Sequence, residues 1–228
     1  MSQLDPRTAL KIFAQPQLRM LAATLSVFVF SLVALIVTSK GFSMSRFNLQ
    51  ATEIGTLTIA GTVAALIVTT AVLPVALRYF NEFRLVSMAL LVAAGGCLLL
   101  SLATSFGFYL AGTSVSAAYA MTGPVIAASM SRRVSKSDQD ALDGGQVALT
   151  FVIGVVLAVS IGAILFRFNR LLGFYIAAGG FILAAFLALR LPAHQAVDGE
   201  DADIDGSELS VGAPVYTQLP VQYDAIHL

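Results

Sequence analysis

The chain has 228 residues, of which 57% are hydrophobic and only 11% are charged, with 13 basic and 13 acidic side chains. Soluble domains carry about a quarter charged residues, so this composition excludes an ordinary soluble globule and indicates an integral membrane protein. The single cysteine, Cys97, excludes an intrachain disulfide and a cysteine metal cluster.

Six apolar runs follow one another and predict six transmembrane helices, at residues 20–38, 54–77, 85–102, 106–130, 147–166 and 171–189. Helices are expected because lipid cannot satisfy exposed backbone groups, and the alternation typical of barrel strands is missing. The predicted fold class is therefore an all-α membrane protein. Its parts are a cytoplasmic segment at 1–19, a six-helix domain at 20–191 and a tail at 192–228.

The distribution of Lys and Arg among the connections predicts the orientation of these helices. The side that holds both termini carries nine such residues: Arg7, Lys11, Arg19, Arg78, Arg84, Arg132, Arg133, Lys136 and Arg190. The other side carries four: Lys40, Arg46, Arg167 and Arg170. Because basic residues accumulate in cytoplasmic loops, both termini are predicted to be cytoplasmic.

Two short connections suggest an internal repeat. Arg78, Phe80 and Asn81 follow the second run, and Arg167, Phe168 and Asn169 follow the fifth, with the asparagines 88 residues apart. The first and fourth runs begin 86 residues apart. An odd number of helices per repeat turns the second copy upside down, so the spacing predicts a three-plus-three inverted repeat. A chance match of three residues is the alternative.

Small residues recur at every fourth position in two of the predicted helices. They are Gly112, Ser116, Ala120, Pro124 and Ala128 in the fourth, and Gly154, Ala158 and Gly162 in the fifth. Such stripes let helix backbones approach closely in lipid. We expect tight packing within one bundle, with a dimerisation motif as the alternative.

The tail at 192–228 is acidic and contains no Lys or Arg, which predicts a disordered cytoplasmic segment. Tyr216 with Leu219, and Tyr223 with Ile226, resemble the tyrosine-based sorting signals that adaptor complexes bind. If both are signals, the protein is expected in the plasma membrane or an endolysosomal membrane. A tail tyrosine also meets an apolar residue three positions on by chance.

Three stretches together carry a family resemblance: residues 47–57, the basic turn at 78–84, and the helix with Gly123 and Pro124 that leads to Arg132 and Arg133. They resemble the carboxy-terminal half of a major facilitator superfamily transporter, in its drug and tetracycline efflux-like branch. The resemblance implies a secondary-active transporter of small organic solutes that works by alternating access. Only six of that family's twelve helices are present, so we expect a truncated product, or a half that pairs with a second half or with the full-length transporter. The alternative is a non-transporting short isoform or partner-binding membrane protein with trafficking signals in its tail.

Neutral polar residues are the candidates for the substrate path, because no ionisable residue lies well inside a predicted helix. They are Ser31, Thr113, Ser116, Tyr119, Gln146 and Thr150. Hydroxyls in membrane helices commonly bond their own backbone carbonyls instead. Gly123 and Pro124 predict a bend suited to a gating helix, or else a static kink.

Chemistry other than transport is not expected of this chain. Both histidines, His194 and His227, lie in the tail, so a serine with a histidine base in the membrane is excluded, and no ligand cluster predicts a metal. The basic loop at Arg132 is an orientation determinant rather than a nucleic-acid patch. We therefore predict no enzyme, no cofactor and no nucleic-acid partner. The predicted partners are the lipid bilayer, a small-molecule substrate, a second half or full-length transporter, and adaptor complexes at the tail.

Overall fold

The computed structural model describes residues 16–134 and 139–191, and within these ranges every regular element is helical. The all-α prediction is thus confirmed for the part of the chain that is described. The predictions for the tail at 192–228, including Tyr216, Leu219, Tyr223 and Ile226, lie outside the described residues, as does most of the segment at 1–19.

The described chain forms six helices in sequence, three of which are divided by a change of helix type. The first helix is α1 (Pro16–Phe47), the third is α4 (Glu82–Ser101) and the sixth is α9 (Leu172–Leu189). The second joins α2 (Ala51–Ile67), a π-helical turn (Val68–Val72) and α3 (Leu73–Tyr79). The fourth joins α5 (Phe106–Ser116), a 3₁₀ turn (Ala117–Met121) and α6 (Thr122–Ser131). The fifth joins α7 (Gln139–Thr150), a π-helical segment (Phe151–Ala158) and α8 (Val159–Phe168).

Five of these helices are long and apolar enough to cross a membrane, by length and composition. They are Leu18–Phe47, Thr52–Tyr79, Glu82–Ser101, Gln139–Gly162 and Leu172–Leu189. The predicted fourth run is helical as well, but the 3₁₀ turn divides it into two shorter α-helices.

The first helix is longer than its apolar run at 20–38. Its 32 residues span about 48 Å, against about 30 Å for a hydrocarbon core. Hydropathy falls at Lys40, but Phe42 and Phe47 continue to pack inward, so the helix goes on for two more turns. The helix ends at Phe47, and the next residue, Asn48, has a positive φ of 52°, a left-handed conformation often found just beyond a helix.

The third and sixth helices pack against each other at the centre of the bundle. The sixth also lies along the first, and the third along the fourth. Leu90 and Cys97 of the third helix and Phe174 and Phe181 of the sixth are completely buried. The core of the bundle therefore lies on the third and sixth helices.

The third and fourth helices come into backbone contact at one glycine. A Cβ added to Gly96 would lie 2.5 Å from the backbone nitrogen of Ser116 and 2.7 Å from its Cα. A turn away, a Cβ on Gly112 would lie 3.0 Å from Leu100. In the fifth helix, a Cβ on Gly154 would lie 2.9 Å from Val29 of the first helix. The predicted close packing of the small-residue stripes is confirmed at Gly112, Ser116 and Gly154, whereas Gly96 was not part of either stripe.

The stripe of small residues in the fourth helix does not stay on one face. Gly112 and Ser116 are buried, whereas Pro124 and Ala128 are exposed. A 3₁₀ residue turns the chain by about 120° and an α-helical residue by about 100°, so five 3₁₀ residues rotate the next helical segment by about 100°. Four-residue spacing therefore loses its meaning across the 3₁₀ turn.

The second and fifth helices lie at the outside of the bundle. Ile59 of the second helix is 65% exposed and Val147 of the fifth is 70% exposed. Most other large apolar residues of these two helices are exposed in the same way. Their apolar surface is thus left for lipid or for another protein.

Candidate functional site

A cavity of about 290 Å³ lies between the first, second and fourth helices, with Leu100 of the third helix at its wall. Its apolar wall includes Leu35, Ile54 and Leu57. Its polar wall is made of hydroxyls and one amine: Ser39, Lys40, Thr58, Thr62, Tyr109, Thr113, Ser116 and Tyr119. A mainly apolar cavity whose wall also gathers these eight polar side chains is the candidate binding site of the described chain.

The fourth helix presents three of the predicted path residues to this cavity. Thr113, Ser116 and Tyr119 follow one another at three-residue spacing. Ser116 directly precedes the 3₁₀ turn and Tyr119 lies within it, and side chains three apart in a 3₁₀ helix eclipse one another. The change of helix type therefore keeps Tyr119 on the same side as Ser116.

Most of the cavity hydroxyls donate their proton to the backbone of their own helix. The bonds run from Ser39 to the Ile36 carbonyl (3.0 Å), Thr58 to Ile54 (2.8 Å), Thr62 to Thr58 (2.9 Å), Thr113 to Tyr109 (3.0 Å) and Ser116 to Thr113 (2.8 Å). With the proton committed, each oxygen still has a lone pair to offer. The hydroxyl wall is therefore a set of hydrogen-bond acceptors.

Tyr119 differs from these hydroxyls. It is half-buried, and its phenol has no hydrogen-bond partner among the described residues. A tyrosine inside an apolar helix needs a partner for its hydroxyl, and a water-accessible cavity supplies one. Tyr119 can therefore donate to, or accept from, a molecule in the cavity.

Among the described residues, Lys40 is the only charged side chain in the cavity wall, and it is exposed. Within residues 16–134 and 139–191 its ammonium forms no ion pair and no hydrogen bond. Sequence reasoning missed it because the first helix was expected to end before it. Its place could have been found from helical spacing if the helix had been continued past residue 38. Lys40 then lies one turn beyond Ile36 on the same helical face, and Ile36 also lines the cavity.

Tyr109 closes the cavity next to Lys40 and was also missed. Its hydroxyl donates to the Ser39 carbonyl at 2.9 Å, which ties the fourth helix to the first. Its ring stacks on Phe42 at 6.1 Å and meets Phe47 edge-on at 5.6 Å. Phe42 in turn meets Phe174 edge-on at 5.4 Å. We name these four rings the aromatic cluster. Tyr109 precedes Thr113 by four residues, so helical spacing alone would have placed both on one face.

The opposite end of the fourth helix is held by charge. The Glu82 carboxylate at the start of the third helix accepts hydrogen bonds from the Ser129 hydroxyl (3.0 Å) and from Arg132, with which it forms an ion pair. The neighbouring Arg133 guanidinium lies 5.5 Å from the centre of the Phe83 ring. Burial and the nearby Arg132 charge lower the pKa of Arg133, and Glu82 partly opposes this. The loop predicted to set orientation therefore also fastens the fourth helix to the third.

The other predicted path residues lie away from the cavity. Ser31 is buried against Gly180 of the sixth helix and donates to the Val27 carbonyl at 2.7 Å. The Gln146 amide contacts the Met130 sulfur at 3.1 Å, which links the fifth helix to the fourth. Thr150 is exposed on the fifth helix.

Gly123 and Pro124 lie in the first turn of α6, and the irregular turn is the one before them, at Ala117–Met121. Proline cannot donate to the carbonyl four residues back and its ring crowds that carbonyl, which here belongs to Ala120. The departure from α-helix therefore falls on the preceding turn. A Cβ on Gly123 would meet no other described atom within 4 Å, so packing does not require this glycine.

No protein-family model matches the chain, and a search of curated proteins finds none of significant similarity. The residues and their geometry therefore carry the functional conclusion.

Proposed function

We propose that this chain is a six-helix half of a secondary-active transporter of small organic solutes that works by alternating access. The observation that carries the proposal is the hydroxyl-lined cavity between the first, second and fourth helices. Helices built only to pack in lipid have no need to gather hydroxyls around a cavity, whereas a transporter holds its solute in such a place.

The pairing of helices supports the inverted-repeat arrangement. Such a repeat exchanges the first helix with the fourth, the second with the fifth and the third with the sixth. The first helix packs on the sixth, and its counterpart, the fourth, packs on the third. The first also packs on the fifth, and the fourth on the second. These are the pairs that the exchange predicts, and they favour a half of the major facilitator type.

The fastening of the fourth helix at both ends supports movement of the half as one body. The Tyr109 hydroxyl ties it to the first helix, and the Glu82 carboxylate ties it to the third. Alternating access is largely a rocking of one rigid half against the other around a fixed site. On this proposal the exposed second and fifth helices face the second half, which a further copy of the chain can supply in a reconstituted membrane.

Reconstitution tests this function without knowledge of the substrate. Vesicles that contain the full chain are loaded with a mixture of neutral, cationic and anionic metabolites, and the retained solutes are measured by mass spectrometry. We expect at least one solute to leave faster than from protein-free vesicles. Thr113→Val in the cavity should slow that loss, whereas Ser114→Ala, at an exposed position of the same helix outside the cavity wall, should not. Equal retention in all vesicles would contradict transport by this chain.

The second candidate is a membrane protein that binds a partner and does not transport. It is favoured by the extent of uncovered apolar surface on the second and fifth helices, such as Val63, Leu66, Val152 and Val156. On this candidate the tail tyrosines Tyr216 and Tyr223 direct the protein to its membrane. Absence of solute loss from vesicles that hold folded protein would favour it.

A further inference from the structure

The cavity has an uneven charge and hydrogen-bonding character. Of the described residues in its wall, Lys40 alone is charged and none is acidic. The described acidic residues are Glu53, Glu82, Asp140 and Asp143. Glu82 is held at the opposite end by Ser129 and Arg132, and Asp140 and Asp143 belong to α7 of the fifth helix.

Glu53 is the acidic residue closest to the cavity in sequence, and it has another role. Its carboxylate accepts a hydrogen bond from the Gln50 backbone nitrogen at 2.8 Å and so caps the start of the second helix. Its side chain lies at a separate depression, beside Leu49 and Phe106. The positive charge of Lys40 is therefore left for solvent or for a ligand.

The hydroxyl wall complements this charge. Thr58, Thr62 and Thr113 offer oxygen lone pairs to the cavity because their protons are bound to backbone carbonyls. A ligand that fits must then present an acceptor, preferably negative, to Lys40 and a donor to the threonine oxygens. At about 290 Å³ the cavity is at the small end of ligand pockets, which span about 300–1,000 Å³.

We infer that this cavity binds a small organic anion that also carries a hydroxyl or amino donor, with Lys40 pairing with the anionic group and the threonine oxygens accepting from the donor. This inference rests on the proposed transport function and names its substrate class. A cation would be repelled by Lys40, and a neutral solute would gain no ion pair with it. The competing account is that Lys40 extends to the aqueous boundary and takes no part in binding.

Four probes that share a phenyl ring separate these accounts: mandelate (anion with hydroxyl), phenylacetate (anion without hydroxyl), mandelamide (neutral with hydroxyl) and 2-phenylethylamine (cation). Binding to the purified full chain in nanodiscs is measured by calorimetry. We expect mandelate to bind most tightly, phenylacetate more weakly, and the amide and the amine at least tenfold more weakly than mandelate.

Two variants that each remove one positive charge test whether mandelate binding depends on the cavity. Lys40→Gln should weaken mandelate binding at least tenfold and leave mandelamide unchanged. Arg46→Gln removes a positive charge from the same helix at an exposed position outside the cavity wall, so mandelate binding should stay within twofold. Thr58→Val combined with Thr62→Val should reduce the preference for mandelate over phenylacetate.

Three results would overturn the inference: no binding of either acid, equal binding of 2-phenylethylamine and mandelate, or a change of less than twofold on Lys40→Gln. Its failure is separable from that of the transport proposal. Loss of only neutral or cationic solutes from vesicles would refute the anion site and leave transport standing. Binding of mandelate without any solute loss would refute transport and leave the site standing.

Discussion

Gly96→Ala should separate the third and fourth helices, and Gly95→Ala provides a matched control one residue away. An alanine Cβ at position 96 would lie 2.5 Å from the Ser116 nitrogen and 2.7 Å from its Cα. Both atoms are backbone, so no rotamer change relieves the overlap and the helices themselves must shift. A Cβ at position 95 meets no other described atom within 4 Å.

The contacts around the two glycines set the expected difference in stability between Gly96→Ala and Gly95→Ala. Overpacking of this kind costs about 1–3 kcal/mol, whereas Gly→Ala at an open helical position stabilises by about 0.5–1 kcal/mol. The helical gain is common to both variants, so their free energies of unfolding should differ by the overpacking cost alone, about 1–3 kcal/mol, although the chemical change is identical. The displaced Ser116 lines the cavity, so mandelate binding should weaken in Gly96→Ala and not in Gly95→Ala.

Cys97 provides the assay, because it is the only cysteine and is completely buried. A thiol-reactive fluorophore labels it only when the bundle opens, so labelling during a thermal ramp reports unfolding. Gly96→Ala should be labelled at a lower temperature than the parent chain, and Gly95→Ala at the same or a higher one. Circular dichroism melts provide an independent check. If both variants unfold together with the parent, the backbone contact between Gly96 and Ser116 does not exist.

Two further substitutions test contacts of the first helix. Tyr109→Phe keeps the aromatic cluster but removes the donor to the Ser39 carbonyl, so thiol labelling should report a loss of about 0.5–1.5 kcal/mol; an unchanged melt would show that this bond does not form. Gly180→Ala places a Cβ against the Ser31 hydroxyl and should destabilise the protein, whereas Gly179→Ala, with no described atom within 4 Å, should not. Adding Ser31→Ala to Gly180→Ala should restore most of the lost stability, and failure of this rescue would contradict the contact.

The positions of the helices follow from local properties and could be predicted. An apolar run of about 20 residues specifies a helix in lipid wherever it stands in the chain. Features that depend on one turn were also accessible, as with Thr113 and Ser116, whose three-residue spacing in one helix places them on the same face. Tyr119 joins that face only through the 3₁₀ turn. The length of the first helix could not be predicted from the sequence, because packing of Phe42 and Phe47 against other helices extends it past a polar stretch.

The candidate site depended much more on tertiary structure. Ser31 and Thr150 have the same kind of hydroxyl as Thr113, yet one is buried against Gly180 and the other is exposed. Which face of a helix meets a neighbour depends on its rotation in the bundle, and hydropathy is nearly uniform around such helices. Contacts between residues far apart in the sequence, such as the ion pair of Glu82 with Arg132 and the hydrogen bond of Tyr109 with Ser39, also cannot be read from a local sequence pattern.

By itself, the sequence determined an all-α chain with long apolar helices, because hydrophobic length and backbone hydrogen bonding in lipid leave few alternatives. Only the tertiary structure decided that Lys40 lies in the wall of a cavity, and that the threonine oxygens line the same space. It also decided that the 3₁₀ turn rotates the small-residue stripe off its face. The physical reason is that a cavity is a property of how several helices meet, and no single helix contains it.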